Sequence, residues 1–351
     1  MYILLAILIF SVLIVIHEFG HFVAAKACGV QVNEFSIFMG PKLLQKKGKE
    51  TTYTLRLIPI GGYCAMEGED DTSENPRAFT SAKFWKRATI LVAGSFMNFL
   101  LGFAIVLCLY ASADAFAVPV IDSFYEGCPY ESAEAFQVGD RILSVDGKAI
   151  YLYTDLDMFL SRSTEQVYDI VVERDGREVE LKDFSMPKVA YEVDGQTEYR
   201  YGFYFGHEGA TLGVRLRNAW YTSVDFARMV WISLGDLIGG KVSINDMSGP
   251  VGIVSVISET GESAESTAAG VSDVLYLGAF IAVNLAVMNM LPIPALDGGR
   301  IFLLIITCAV EAVTRKKVNP KYEGYIHAAG MILLLAFMAF ITLKDVIKLV
   351  R

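Results

Sequence analysis

The chain has 351 residues, 54% of them hydrophobic, and a mean hydropathy of +0.43, which is too apolar for an ordinary soluble domain. Its formal net charge is −9 and it holds five cysteines. Nothing here points to nucleic-acid binding, and the scattered cysteines provide neither a disulfide framework nor a C-x-x-C metal site.

Met1 to Ile16 contains no charged residue, and the apolar pattern continues through Phe22-Val23-Ala24-Ala25. At about 1.5 Å per residue, this run forms a helix about 37 Å long. That is enough to cross a hydrocarbon core of about 30 Å. The run encloses His17-Glu18-Phe19-Gly20-His21. A charged group at the centre of a span costs about 2.5–3.5 kcal/mol on insertion scales, so a chain that keeps three ionisable residues there is using them. Residues i and i+4 share a helix face, so His17 and His21 can offer imidazoles to one metal ion. Glu18 lies about 100° round, beside the metal. This HExxH spacing provides two ligands, a general base and an open position for water. The pattern alone occurs by chance in soluble helices, but here two of the four histidines fall within one apolar span.

The first loop carries Lys42, Lys46, Lys47 and Lys49. Glu50 to Met66 then reads as a β-hairpin. Thr52-Tyr53-Thr54-Leu55-Arg56-Leu57-Ile58 is rich in strand formers, and Pro59 with Gly61-Gly62 supplies the turn. Glu67 to Glu74 is acidic and reads as exposed. Lys83, Lys86 and Arg87 precede a second span at about 88–112, which contains Asn98.

Val118 to about Phe205 forms an insertion. Val118 to Phe124 reads as a strand, and a second strand region carries the turn Asp146-Gly147. Tyr153 to Ser161 is helix-like, and Val167–Arg174 pairs with Glu178–Lys182 around Asp175-Gly176. Ala219 to Ile238 is apolar, with Asp225, Arg228 and Asp236 near helical spacing. It reads as an amphipathic helix at the membrane interface rather than a fifth span. A third span, at about 274–310, is interrupted at Asn289-Met-Leu-Pro292-Ile-Pro294-Ala-Leu-Asp297-Gly298-Gly299-Arg300, and a fourth covers about 326–343. His327 begins that last span and reads as interfacial or packing.

A catalytic zinc usually has three protein ligands. Asp297 is the best third ligand, because Pro292 and Pro294 break the helix ahead of it and broken backbone at membrane depth is tolerated only where protein or a cavity encloses it. The competing reading makes Asp297 a helix cap.

Together these residues resemble the site-2 protease family of intramembrane zinc metalloproteases, close to the bacterial regulator of sigma-E type, over nearly the whole chain. His17-Glu18-x-x-His21 matches the first family motif and Asn289-x-x-Pro292-x-Pro294-x-Leu296-Asp297-Gly298-Gly299 the second. The pair is far more specific than either motif alone. Further matches are Ile58-Pro59-Ile60-Gly61-Gly62-Tyr63, Ala93-Gly94-Ser95-Phe96-Met97-Asn98 and Ser248-Gly249-Pro250-Val251-Gly252-Ile253, with Ser95 where the family usually has proline. The run Gly139-Asp140-Arg141-Ile142-Leu143 resembles part of a circularly permuted PDZ domain.

The resemblance implies a polytopic α-helical membrane protein of about four transmembrane helices, with a membrane-associated β-hairpin and an inserted PDZ-like α+β domain. It implies one Zn²⁺ per chain on His17, His21 and Asp297, with Glu18 catalytic. Asn98 and Asn289 would orient substrate or donate to the oxyanion; helix packing is the alternative for such residues, and the motif match favours the site for both, more firmly for Asn289. Ile60, Gly61, Gly62, Pro292 and Pro294 would shape substrate binding. A strand edge in the hairpin could hold an unwound substrate by strand addition.

The implied division is a first half of the protease core at 1–113, the PDZ-like domain at 114–206, a linker with the interfacial helix at 207–273 and a second half at 274–351. The implied activity is endoproteolysis of the transmembrane segments of single-pass membrane proteins. Anti-sigma factors and remnant signal peptides, trimmed first by an upstream site-1 protease, lead the substrates. A zinc-binding transporter or sensor and a non-catalytic PDZ scaffold are the alternatives.

Basic residues in short loops mark the cytoplasmic side. The first loop and Arg315, Lys316, Lys317 and Lys321 are therefore expected inside, and both termini and the PDZ-like domain outside. Lys344, Lys348 and Arg351 run against this for the C-terminus. His17 would lie about 24 Å from the outer end of its span, within the bilayer of the cell membrane and nearer the cytoplasm.

Overall fold

Helix α1 (Tyr2–Cys28) buries Tyr2, Ala6, Ile9 and Leu13 at one end and Gly20, His21 and Ala25 at the other. It stops at Gly29, whose φ of 80° a residue with a Cβ rarely adopts. The structure is a computed structural model that describes residues 1–69, 73–193, 195–242, 249–315, 318 and 320–350, the side chains of residues 60, 320, 321, 323 and 348–350 excepted. Residues 70–72 of the acidic segment, Ser248, Lys316, Lys317 and Arg351, all named above, lie outside the described residues, as do the side chains of Ile60, Lys321 and Lys348.

After α1 come strands β1 (Val32–Lys47) and β2 (Thr52–Met66), and here the expected hairpin needs correction. Its turn is at residues 48–51, where the Gly48 N–H donates to the Thr51 carbonyl at 2.9 Å. It is not at Pro59 and Gly61-Gly62, where β2 runs on. Gly61, with φ of 85°, bends the strand without ending it. The first strand was hidden because residues 39–50 are all exposed, and lysines on an exposed edge strand look like loop in a sequence. The pairing also folds back on itself. Lys47 to Lys42 pairs with Thr52 to Arg56, while Glu34 to Ile37 pairs with Thr52 to Leu55 and again with Ala65 to Gly62. Arg56 ties the layers together, donating to Glu34 Oε1 at 3.1 Å and to Tyr63 Oη at 2.6 Å. The Ser11 hydroxyl of α1 donates to the Pro59 carbonyl at 2.5 Å. Val32, Phe35, Cys64 and Met66 pack with Ala25, Ile90 and Leu91 in one apolar cluster.

Helix α2 (Phe84–Leu109) begins about one turn earlier than the sequence suggested. The extra turn is anchored by Lys86, whose Nζ donates to the Cys28 carbonyl at 2.7 Å. This satisfies a helix-end acceptor of α1.

The chain divides into two units, residues 1–106 with 226–351, and residues 107–225. The second unit holds β3 (Ala115–Phe124), β4 (Arg141–Val145), β5 (Lys148–Ala149), α3 (Tyr153–Leu160), β6 (Val167–Arg174), β7 (Arg177–Ser185), β8 (Val189–Val193), β9 (Gln196–Arg200) and β10 (Phe203–Gly209). One sheet runs β10-β3-β4-β6-β7, with β5 on β4, and β8-β9 is a separate hairpin. Asp146 and Gly147, then Asp175 and Gly176, all have positive φ, the conformation that tight hairpin turns require. Asp140 is fully buried. Its carboxylate accepts from Arg174 Nε at 2.8 Å and Nη2 at 2.7 Å, and from the Gln137 N–H at 2.9 Å. The Gly-Asp run is therefore an internal strut of this sheet.

Helix α4 (Leu212–Ile238) starts in the second unit and ends in the first. Helices α5 (Pro250–Glu262), α6 (Thr267–Asn289), α7 (Asp297–Thr314) and α8 (Pro320–Val350) complete the chain. Among the described residues, four helical segments are long and apolar enough to cross a membrane: Tyr2–Cys28, Phe84–Ser112, Thr267–Asn289 and Gly324–Ile347. α4 is not one of them. The third span lies in α6 alone, which starts where Ser266 Oγ accepts from the Ala269 N–H at 3.2 Å; α7 is a separate helix. Tyr2, Ala6, Ile9 and Leu13 of α1 pack with Ile257, Val274 and Ile281 of α5 and α6. The buried Asp345 of α8 accepts from the Gly249 and Gly252 N–H groups at 2.8 and 2.9 Å. It thereby caps α5.

Candidate active site

The helical spacing of α1 brings His17 and His21 together, and α7 brings Asp297 to them. His17 Nε2 and His21 Nε2 are 3.1 Å apart. Asp297 Oδ2 lies 3.1 Å from the first and 3.3 Å from the second. Asp297 stands in the first turn of α7, and Leu296 holds the N-cap position, so the cap reading of Asp297 fails. The break that frees it is the segment 290–296. Gly298 and Gly299 let the start of α7 lie directly against this segment. A Cβ on Gly299 would be 2.6 Å from the Ile293 carbonyl carbon, and a Cβ on Gly298 would clash with the Met290 and Leu291 backbone.

Each imidazole is oriented from its far side. His21 Nδ1 is 2.8 Å from the Ile90 carbonyl oxygen. That oxygen can only accept, so the proton sits on Nδ1 and the Nε2 lone pair faces the site. The Asn98 side-chain nitrogen, buried on α2, lies 3.4 Å from His17 Nδ1, and the Asn98 oxygen has no hydrogen-bond partner; with the amide turned over, that oxygen would stand where an Nδ1–H requires an acceptor. Between these contacts, Gly94 lets α2 pass under the rings. A Cβ there would be 2.5 Å from His21 Nε2 and 2.7 Å from His17 Cε1.

The three inward atoms suit a zinc ion. Two imidazole lone pairs and a carboxylate oxygen aimed at one another need a cation between them, and Asp297 Oδ2 is buried with no hydrogen-bond donor. Zinc bonds of 2.0–2.1 Å at tetrahedral angles put ligand atoms roughly 3.3 Å apart, close to the separations found. Among the described residues, His17, His21 and Asp297 form the one histidine, cysteine and carboxylate group compact enough to hold a metal.

Glu18 leaves α1 next to this triad, and its Oε2 accepts from the Cys64 N–H at 3.0 Å. The cavity around the site is about 440 Å³ and is lined in part by Tyr63, Cys64, Ala65 and Met66 of β2, Asn289 of α6 and Met331 of α8. The part of β2 that meets the site is therefore Tyr63 to Met66, one step beyond the expected Ile60, Gly61 and Gly62. A Cβ on Gly62 would still come within 3.7 Å of Glu18 Cγ. Among the described residues that line the cavity, neither Pro292 nor Pro294 appears, and Pro292 is exposed. The two prolines shape the segment leading to Asp297 and do not form a wall.

The sequence reading missed several contributors. Arg300, one turn beyond Asp297, lines the cavity and pairs with Glu69 just after β2. Its i+3 spacing from Asp297 was a usable signal. The Ile90 carbonyl and the Cys64 N–H are backbone groups and leave no mark in a sequence. His327, read as interfacial or packing, accepts from the Ala295 N–H at Nδ1, 3.2 Å away. It supports the segment before Asp297.

The model of peptidase family M50 matches residues 5–337. A putative zinc metalloprotease of Clostridium acetobutylicum is 35% identical over 98% of this chain and 97% of its own length. The zinc metalloprotease RasP of Bacillus licheniformis is 28% identical over 98% of each chain. The regulator of sigma-W protease RasP of Bacillus subtilis is 26% identical over 98% of this chain and 97% of its own length. With a match across nearly its full length and a zinc-type donor set at its centre, this chain belongs to peptidase family M50, the site-2 protease family, and is a zinc metalloendopeptidase.

Proposed function

We propose that the chain cleaves transmembrane segments of single-pass membrane proteins, with zinc held by His17, His21 and Asp297 and proton transfer performed by Glu18. The observation that carries this reading is the convergence of the three ligand atoms beside a carboxylate that is itself aimed by the Cys64 N–H. When bound, zinc supplies a Lewis acid for the scissile carbonyl and acidifies water. Glu18 takes the proton of the attacking water and returns it to the leaving amine, a role worth about 10²–10⁴-fold in rate. The Cys64 hydrogen bond fixes the direction in which that carboxylate accepts. His21 keeps its inward lone pair because the Ile90 carbonyl holds Nδ1, and Asn98, with its amide turned so that the oxygen accepts, would do the same for His17.

Tyr63 to Met66 offers the surface for the substrate backbone. The Cys64 N–H of this stretch meets Glu18, so a strand laid along it by strand addition lies next to the base. An unwound substrate segment placed there exposes its peptide bond beside Glu18. Asn289, at the end of α6 and on the cavity wall, orients that segment or donates to the developing oxyanion. Asn98 acts through His17.

In this reading the site lies within the bilayer toward the cytoplasm, both termini face outward, and the hairpin rests in the inner leaflet. α4 lies at the outer interface. Residues 114–206 form the PDZ-like domain outside. Its edge strand β10 and helix α3 contribute Phe203, Phe205, Tyr153, Leu156 and Leu160 to a cavity of about 370 Å³, which suits an extended peptide. Substrates are single-span proteins first shortened by another protease. Anti-sigma factors are the leading class, in keeping with the name of the Bacillus subtilis relative, regulator of sigma-W protease.

The test is a comparison of purified, zinc-loaded wild type and Glu18→Gln in vesicles carrying a single-span substrate, paired with membrane proteomics of cells expressing each. Cleavage inside the span by wild type only is expected. Cleavage by Glu18→Gln would refute the proton-transfer role, and cleavage confined to extramembrane segments would refute the intramembrane reading.

A further inference from the structure

The segment that delivers Asp297 adopts a backbone conformation that its own sequence does not favour. Ala295 has φ of 83°, in the left-handed region that a residue with a Cβ rarely occupies. It is flanked by Pro294 and by Leu296, the N-cap of α7. Such a conformation persists only where neighbouring structure holds it. Two groups on α8 do so. His327 Nδ1 accepts the Ala295 N–H at 3.2 Å. Gly330, three residues on and so on the same helix face, lies against Pro294 so closely that a Cβ would be 2.8 Å from the Pro294 carbonyl carbon. The next residue, Met331, lines the cavity around the triad.

We propose that His327 is a positioning residue for the metal site. It holds Ala295 in the left-handed conformation, which sets the start of α7 and aims Asp297 Oδ2 at His17 and His21. The proposal rests on the reading of Asp297 as a zinc ligand. His327 is not among the described residues that line the cavity and acts through two residues of backbone. An acceptor at Nδ1 is what the position requires. Alanine removes it, whereas asparagine keeps an oxygen in nearly the same place. Most of α8 around His327 is exposed, so this grip concerns the 294–297 segment more than the packing of a core.

The experiment measures zinc affinity by chelator competition on the purified full-length chain, for wild type, His327→Ala, His327→Asn, Gly330→Ala and His21→Ala. Thermal unfolding of the zinc-free proteins serves as the folding control. Removing a group that orients a ligand weakens metal binding by about 10–100-fold. That loss is expected for His327→Ala and Gly330→Ala, with His327→Asn within about threefold of wild type. Wild-type affinity in His327→Ala, or equal losses in the alanine and asparagine variants, would overturn the proposal. If His327→Ala does not fold, Gly330→Ala decides alone: weaker zinc binding supports the grip and wild-type binding overturns it. Undiminished zinc binding by His21→Ala would instead show that the ligand assignment is wrong, a failure distinct from that of the positioning role.

Discussion

Gly94→Ala is the most exacting test of how α1 and α2 build the site. The added Cβ would lie 2.5 Å from His21 Nε2, whereas ordinary contact begins at 3.4 Å. The shortfall, 3.4 − 2.5, is 0.9 Å. The ring cannot swing away without giving up the 2.8 Å hydrogen bond from Nδ1 to the Ile90 carbonyl. The helices are also already in backbone contact one residue earlier, where a Cβ on Gly20 would sit 2.8 Å from the Ala93 carbonyl carbon. The strain therefore falls on the ligand geometry, where a sound site keeps its bond lengths within about 0.2 Å. We expect zinc affinity to fall by at least about 100-fold, roughly 2.8 kcal/mol, and activity to fall with it. The zinc-free protein should melt close to wild type, since glycine is the poorer helix former by about 1 kcal/mol and its replacement offsets part of the clash. Chelator competition and metal content after dialysis give the answer. Wild-type zinc affinity in Gly94→Ala would show that the helices yield by nearly an ångström at no cost, and would refute the argument that Gly94 sets the ligand spacing.

Other outcomes follow from the same geometry. Glu18→Gln should bind zinc as wild type does and lose about 10²–10⁴-fold in cleavage rate; loss of the metal in this variant would contradict the separation of base from ligands. The Glu69 and Arg300 pair should show a coupling of about 0.5–3 kcal/mol when Glu69→Gln, Arg300→Gln and the double variant are compared by thermal unfolding, and additive effects would remove its claim to tie β2 to α7. Glu50, in the turn of the hairpin, accepts from Lys26 and from Arg77, and these bonds hold its carboxyl down at about 2. Because the folded value lies below the unfolded one, the stabilisation is complete above about pH 4.5 and is lost as the pH falls toward about 2. Solvent screens this surface pair, so Glu50→Gln should cost below about 1 kcal/mol at neutral pH and nothing at the acid end. A cost that does not change with pH would rule out the ion pairs as its source.

Much of the site was legible because it is built from local spacing. His17, Glu18 and His21 lie on one helix, where the 3.6-residue repeat alone puts the two imidazoles on one face with the carboxylate beside them. Asp297 was legible for a different reason. Two prolines, an aspartate and two glycines inside an apolar run have few explanations in a membrane protein. The apolar runs themselves located the four membrane-length helices, because a span must satisfy its backbone internally and cover a fixed thickness. The same logic fails for an exposed ribbon such as β1, whose lysines obey solvent and edge protection, not a buried face.

The sequence by itself thus determined which residues could bind the metal and which segments could cross a membrane, since both follow from helical periodicity and hydropathy. Only the tertiary structure decided what aims those residues. The Ile90 carbonyl that orients His21 and the Cys64 N–H that orients Glu18 are main-chain groups, which every residue but proline carries alike. The clearance under the two rings at Gly94, and the support that His327 gives Ala295, depend on helices far apart in the chain. Such contacts are set by how the elements pack, and no local pattern encodes them.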